Sequence, residues 1–177
     1  MGWTSLHREP GSQTDREFFE AELCAGDTIV ACATVKNVFY AAVHSGPESS
    51  NEPGITWALV ALIQRTRGEY NFTYKTLTDT MGPSDCEAPA KVLDALTPTD
   101  NVVANEWRAE CRATIALKAK AKAVKPGTVV RFARPLVFTN GDSADTFTFE
   151  GRSSFRIPFG GRYRITSWRT KQWEIVG

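Results

Sequence analysis

Residues with reactive side chains are few in this chain and are widely spaced. The two histidines, His7 and His44, lie in different segments, and no spacing of Asp, Glu or Cys around them indicates a metal site. Cys86 stands between Asp85 and Glu87, whose charges disfavour the thiolate that a cysteine nucleophile needs. Neither glycine-rich phosphate-binding motif occurs. The sequence therefore indicates no catalytic residue, no metal and no cofactor, and it favours a binding protein over an enzyme.

An aromatic stretch that begins at Tyr70 and precedes a Gly-Pro turn at Gly82 could line a small-ligand pocket. Strand alternation places its rings on one face and its polar side chains on the other. In one interpretation the rings are core and the polar face is solvated. In the other, polar residues of the stretch and of the N-terminus converge on a ligand, and the pocket consists of Trp3, His7, Tyr70, Asn71, Tyr74, Lys75 and Asp79.

The formal net charge of +1 conceals an acidic and a basic part of the chain. Residues 1–117 hold 9 Lys and Arg against 16 Asp and Glu, a net charge of −7. Residues 118–177 hold 12 Lys and Arg against 4 Asp and Glu, a net charge of +8. Such asymmetry is typical of polyanion-binding proteins, and of two modules that face each other.

Arginines alternate with aromatic residues in the basic part, as in Arg162-Tyr163-Arg164. Period-two alternation directs the aromatic rings into a core and the arginines outward. The outward array is either a phosphate-binding face, or a face that is solvated or pairs with the acidic part. The predicted nucleic-acid-binding residues are Arg131, Arg152, Arg156, Arg162, Arg164, Arg169 and Lys171.

The acidic part is predicted to begin with a short helix and a β-hairpin. Thr14 and Glu17 form a capping box at the start of the helix. Residues 29–35 and 38–44 pair as strands around a two-residue turn, Lys36-Asn37. A regular register places Ile29 on the face of Tyr40 and Val30 on the face of Phe39. Both faces are apolar, so both should be covered; residues 55–63 are predicted to form a further strand.

A long helix is predicted from Pro98 to about Val124. Thr97 would be its cap, and Pro98 would occupy the first helical position. Its apolar stripe should enter the core of the acidic domain, and the helix should lead directly into the basic module; the stripe consists of Val103, Trp107, Cys111, Thr114 and Leu117.

Five short strands with glycine turns follow and predict a small SH3-like or OB-like β-barrel. They span residues 128–138, 146–150, 154–158, 162–168 and 172–176. The predicted fold class is α+β, with an antiparallel sheet, helices and a long helix in an acidic domain (residues 1–125) and the barrel in a basic domain (126–177).

The composition predicts a cytoplasmic protein with reduced thiols. The four cysteines are irregularly spaced, the first twelve residues are polar, and no run reaches the roughly 18 apolar residues of a membrane span. Trp3 is expected to be buried, because a large indole is a poor choice for a disordered end.

Several motifs together resemble a domain family of unknown function found in bacteria, their mobile elements and their phages. The resemblance rests on Met1-Gly2-Trp3-Thr4, Tyr70-Asn71-Phe72-x-Tyr74-Lys75, Met81-Gly82-Pro83, the cap at Thr97-Pro98 and the closing Tyr163-Arg164-Ile165 with Trp168 and Trp173. It implies a phage or mobile-element accessory protein and brings no assigned activity.

The predicted function is that of a non-enzymatic accessory protein whose basic barrel binds nucleic acid or a host complex that handles nucleic acid, with no membrane partner. One alternative is an inhibitor of a host defence system that binds protein through its acidic surface. A further alternative is an enzyme with a site between Tyr70 and Cys86.

Overall fold

Two antiparallel sheets of five strands each organise the chain, which has the predicted α+β class. The computed structural model describes residues 2–7, 13–65, 71–158 and 160–176. The chain divides into two units, Met1–Arg112 and Ala113–Gly177, each containing one sheet. The division between these units falls inside the long helix, whereas the sequence pattern predicts a domain boundary near residue 125.

The first sheet has the strand order β1-β5-β4-β3-β2. Its strands are β1 (Thr4–His7), β2 (Thr28–Val35), β3 (Val38–His44), β4 (Thr56–Arg65) and β5 (Asn71–Thr78). The predicted strand over residues 55–63 is confirmed as β4. Trp3, which was expected to be buried, is 52% exposed. It precedes the edge strand β1, whose pairing with β5 starts only at Thr4 and so does not reach Trp3.

The β2–β3 hairpin has the predicted Lys36-Asn37 turn, because Val35 pairs with Val38. The predicted faces are wrong at the start of β2. A β-bulge between Ile29 and Ala31 inserts one extra residue, and Ile29 pairs with Val43. Ile29 is therefore buried among the neighbours of Phe39, whereas Val30 is 53% exposed.

Helix α1 (Asp15–Ala21) covers one face of this sheet. The predicted capping box is present: the Thr14 hydroxyl accepts from the Glu17 amide, and the Glu17 carboxylate accepts from the Thr14 amide. Phe18 and Phe19 pack edge-on against Tyr74, and burying each ring stabilises the fold by roughly 1.5–3 kcal/mol. This core confirms the interpretation in which the aromatic face of β5 is buried.

The opposite face of the sheet is also covered, as predicted. Tyr40 is fully buried there, and its hydroxyl donates to the Asp85 carboxylate. Trp107 donates its indole N–H to the Asp85 carbonyl over 2.7 Å. Helix α2 (Ala90–Leu93) contacts β2 and β3 on this side.

Helix α3 (Val102–Ala123) begins later than predicted. The Thr97 hydroxyl accepts from the Thr56 amide (2.8 Å), and the Thr97 amide donates to the Thr56 carbonyl (2.9 Å), so Thr97 extends along β4 instead of capping the helix. Asn101 is the cap, because its side-chain oxygen accepts from the Ala104 amide over 3.0 Å. Of the predicted stripe, Trp107 and Cys111 are buried, but Val103 is 41% exposed.

The second sheet has the order β10-β6-β7-β8-β9, and all five predicted strands are present in it. They are β6 (Val129–Val137), β7 (Ser143–Gly151), β8 (Ser154–Arg156), β9 (Arg162–Arg164) and β10 (Trp173–Ile175). Strand β9 ends at Arg164, short of the predicted residue 168, and a turn at residues 166–167 and a 3₁₀ turn (Trp168–Thr170) follow it. The core on one face contains Ala121, Val130, Phe132, Phe147, Phe149, Phe155, Ile165, Trp168 and Trp173.

Candidate nucleic-acid interface

Four arginines lie on the face of the second sheet that is opposite its aromatic core. Arg156 is the cross-strand partner of Arg162, so the two side chains point to the same side. Arg164 shares this side with Arg162 by alternation along β9, and Arg131 alternates with the buried Val130 and Phe132. We call Arg131, Arg156, Arg162 and Arg164 the arginine face.

Glu150 holds two of these arginines side by side. Its carboxylate accepts from Arg156 Nε over 2.7 Å with one oxygen, and from Arg162 Nε over 2.6 Å with the other. These ion pairs, the one with Arg162 first, keep the pKa of Glu150 below its usual value. The Glu150 side chain is 19% exposed, but those of Arg156 and Arg162 are 54% and 67% exposed. Both guanidinium groups therefore remain open to a ligand.

A groove of 480 Å³ adjoins this face at the turn between β7 and β8. Its lining brings together three arginines, from the turn and from β9, with two serines, of which Ser154 donates its hydroxyl to the Glu150 carboxylate over 3.3 Å. We call it the arginine groove, and it is lined by Gly151, Arg152, Ser153, Ser154, Arg162, Tyr163 and Arg164. Arg152, which also lines the groove, takes the left-handed conformation in the turn (φ +55°). The sequence prediction missed Glu150 and the two serines.

The other predicted basic residues lie away from the groove. Arg169 is in the 3₁₀ turn, with its guanidinium 5.9 Å from the centre of the Trp168 ring. Lys171 lines a separate cleft of 240 Å³ with Phe132 and Leu136. Arg131 is 3.9 Å from Glu174, its cross-strand partner on β10. Three of the seven predicted residues, Arg152, Arg162 and Arg164, thus meet at one groove.

The pocket predicted in the first unit is not assembled by the described residues. Tyr74 is buried against α1, while Lys75 follows it on β5 and so points to the other face. Trp3 is exposed, and His7 pairs with Asn71 between β1 and β5. Tyr70 lies outside the described residues.

Asp79 is fully buried and belongs to an ion pair that sequence inspection missed. Arg108 donates to the Asp79 carboxylate through Nε (3.0 Å) and through a terminal nitrogen (2.6 Å). Its other terminal nitrogen donates to the Thr97 carbonyl over 2.7 Å. The pair joins the end of β5 to α3, so Asp79 has a structural role and is not open to a ligand.

Cys86 is held as a thiol. Burial, and then its hydrogen bond to the Glu110 carboxylate (3.0 Å), raises the pKa of Cys86 to about 12. Cys111 is buried, and burial raises its pKa to about 11. The pKa of Cys86 is thus raised, as expected, but burial and Glu110 are the main causes, and of the two expected neighbours Asp85 makes only a small contribution. Among the described residues, no group of three His, Cys, Asp or Glu could hold a metal ion.

Residues 98–168 match the family model of a domain of unknown function, DUF6927. The expected resemblance to a domain family of unknown function is confirmed over this segment, which contains α3, β6 to β9 and the arginine groove. No curated protein and no solved structure matches the chain. Within the described part of the chain, no helix has the length and apolar character needed to cross a membrane.

Proposed function

We propose that the second unit is a nucleic-acid-binding module in which the arginine groove and the arginine face hold backbone phosphates. The observation that carries the proposal is the meeting of Arg152, Arg162 and Arg164 at one groove, which Ser153 and Ser154 also line. Guanidinium groups bind phosphate oxygens through two parallel hydrogen bonds, and serine hydroxyls are common additional donors.

The charge of the unit supports a polyanionic ligand. The unit holds 12 Lys and Arg against 4 Asp and Glu. Arginines that neutralise phosphates release counterions, and this drives binding with little dependence on base sequence. Glu150 does not block phosphate binding by its two arginine partners. It accepts hydrogen bonds from Arg156 and Arg162 through their Nε atoms and leaves both side chains more than half exposed.

The fold provides a suitable scaffold for such a site. Four strands follow one another in a meander, and after a 3₁₀ turn the last strand returns to pair with the first. We propose that this sheet curls into an SH3-like barrel, a fold that carries many unrelated functions. We also propose that the protein acts in the cytoplasm, as its composition predicts, and that it is an accessory factor of a phage or mobile element, as the sequence resemblance implies.

A salt titration of the full chain tests the proposal. Arg152→Gln/Arg164→Gln removes two groove cations and leaves the Glu150 ion pairs in place, whereas Lys122→Gln/Lys125→Gln removes the same charge from exposed positions elsewhere in the unit. Fluorescence anisotropy with labelled single- and double-stranded DNA and RNA gives the affinity. We expect the groove variant to lower the slope of log K against log salt by about two, and the lysine variant to lower it less.

Two results would overturn the proposal: no binding of wild-type protein to any of these nucleic acids at about 50 mM salt, or equal losses in both double variants. A thermal melt of each variant checks that the fold is retained. Pull-down from host lysate with and without nuclease identifies the competing function. Capture of a host protein that survives nuclease, without nucleic-acid binding, would favour the inhibitor.

A further inference from the structure

The first unit contains a cleft of 300 Å³ on the α1 side of its sheet, within the size range of small-molecule sites. It lies between the C-terminal end of α1, the loop after β3, the start of β4 and the end of β5. Its lining consists of Phe19, Glu22, Leu23, Cys24, Asp27, Ser50, Asn51, Trp57, Leu59, Tyr74, Thr76 and Thr78. The cleft is independent of the arginine groove.

The inner surface of the cleft is aromatic and apolar. Phe19, Leu59 and Tyr74 are nearly fully buried members of the core. Trp57 packs against this core, stays partly exposed, and is oriented by a 3.0 Å hydrogen bond from its indole N–H to the Ser45 hydroxyl. Trp57 therefore offers an exposed aromatic surface for the apolar body of a ligand, and an aromatic ring face attracts cations.

The side chains of the cleft that are charged at neutral pH are both acidic. Asp27 is fixed, since one of its oxygens accepts from the Gly46 amide (3.0 Å) and the other from the Ser49 hydroxyl (3.2 Å). Glu22 accepts from the Tyr74 hydroxyl over 2.9 Å through Oε2. Burial raises the pKa of Tyr74 to about 12, so Tyr74 is a neutral donor. The negative charge of Glu22 and Asp27 is therefore not offset by a cation of the lining.

We propose that this cleft binds a small organic cation, an amine with an aromatic or aliphatic body. The ammonium group lies near Glu22, whose Oε1 atom is free of the Tyr74 hydrogen bond, and Asp27 adds a second negative charge. The body of the ligand packs on Trp57 and Leu23, the partly exposed apolar side chains of the lining. Anions of the same shape are excluded by the two carboxylates.

Calorimetric titration of the full chain tests the proposal with phenethylamine and with 3-phenylpropionate, its anionic counterpart. We expect binding of the amine and none of the acid. Glu22→Gln keeps an acceptor for the Tyr74 hydroxyl and removes the charge, and we expect it to weaken amine binding at least about fivefold. Glu20→Gln, on the exposed side of the same helix, is the matched control and should leave amine affinity unchanged.

The absence of amine binding at millimolar concentration, equal binding of amine and acid, or unaltered amine affinity in Glu22→Gln would each overturn the proposal. An equal loss of amine affinity in Glu20→Gln would also overturn the proposal, because the loss would then follow from the net charge of the protein and not from a carboxylate in the cleft. A thermal melt of Glu22→Gln establishes that the sheet and α1 are intact.

Discussion

Removal of the Arg108 side chain leaves the Asp79 carboxylate buried without its cation. The Asp79 side chain is 1% exposed and that of Arg108 is 10% exposed, so water cannot replace the missing guanidinium. The carboxylate would keep a long hydrogen bond from the Ala58 amide (3.4 Å), and the Thr97 carbonyl would lose the guanidinium donor 2.7 Å away. Breaking a buried pair from one side costs about 3–5 kcal/mol, and we expect this loss of unfolding free energy in Arg108→Met.

Urea unfolding monitored by tryptophan fluorescence measures this loss, with Arg112→Met as the matched control. Arg112 lies one turn further along the same helix and is 3.7 Å from Asp94, with both side chains more than half exposed. Its loss should cost less than about 1 kcal/mol. The double variant Asp79→Leu/Arg108→Met should recover much of the stability, because it leaves no unpaired buried charge.

A cost for Arg108→Met no larger than that of Arg112→Met would refute this reasoning. It would mean that solvent reaches Asp79, or that another donor replaces the guanidinium. A double variant that is less stable than Arg108→Met would contradict the assignment of the cost to an unpaired charge.

Three further predictions concern a thiol, a helix cap and an ion pair. Cys86 should react with iodoacetamide at pH 7.5 more than about 100-fold slower than the exposed Cys24, because the pKa of Cys86 is raised to about 12. Glu110→Gln should lower the pKa of Cys86 and speed its reaction. Comparable rates for Cys86 and Cys24 in the wild type would contradict the prediction. Asn101→Ala should destabilise the protein by about 1 kcal/mol in urea unfolding, and a negligible change would show that Asn101 is not the cap of α3. Glu150 has a lowered pKa in the folded state, so its ion pairs add stability above the usual glutamate value of 4.5, and this is lost as the pH falls through the folded pKa. Thermal melts of Glu150→Gln should therefore lie below those of the wild type at pH 7 and approach them at acidic pH; a constant difference would contradict the prediction.

The local pattern of side chains determined most of the secondary structure of this protein. The capping box at Thr14, the turn at Lys36-Asn37 and the five strands of the second sheet depend on neighbours within a few residues. The outward direction of the arginines also follows from alternation alone, because successive side chains of a strand point to opposite faces. Charge counting likewise separated the acidic part from the basic part.

Contacts between residues far apart in the sequence explain where predictions from local pattern are wrong. Thr97 does not cap α3, because Thr56, 41 residues away, holds it with hydrogen bonds along β4. The bulge near Val30 depends on how β2 pairs with β3, and it transfers Ile29 to the other face.

The candidate sites depend on tertiary contacts in the same way. Glu150 reaches Arg162 across 12 residues of chain, and Asp79 reaches Arg108 across 29. The cleft beside α1 combines four separate segments. Sequence patterns set the direction of each side chain, but only the folded chain sets its distance from residues far along the sequence, and short-range charge and hydrogen-bond interactions depend on that distance.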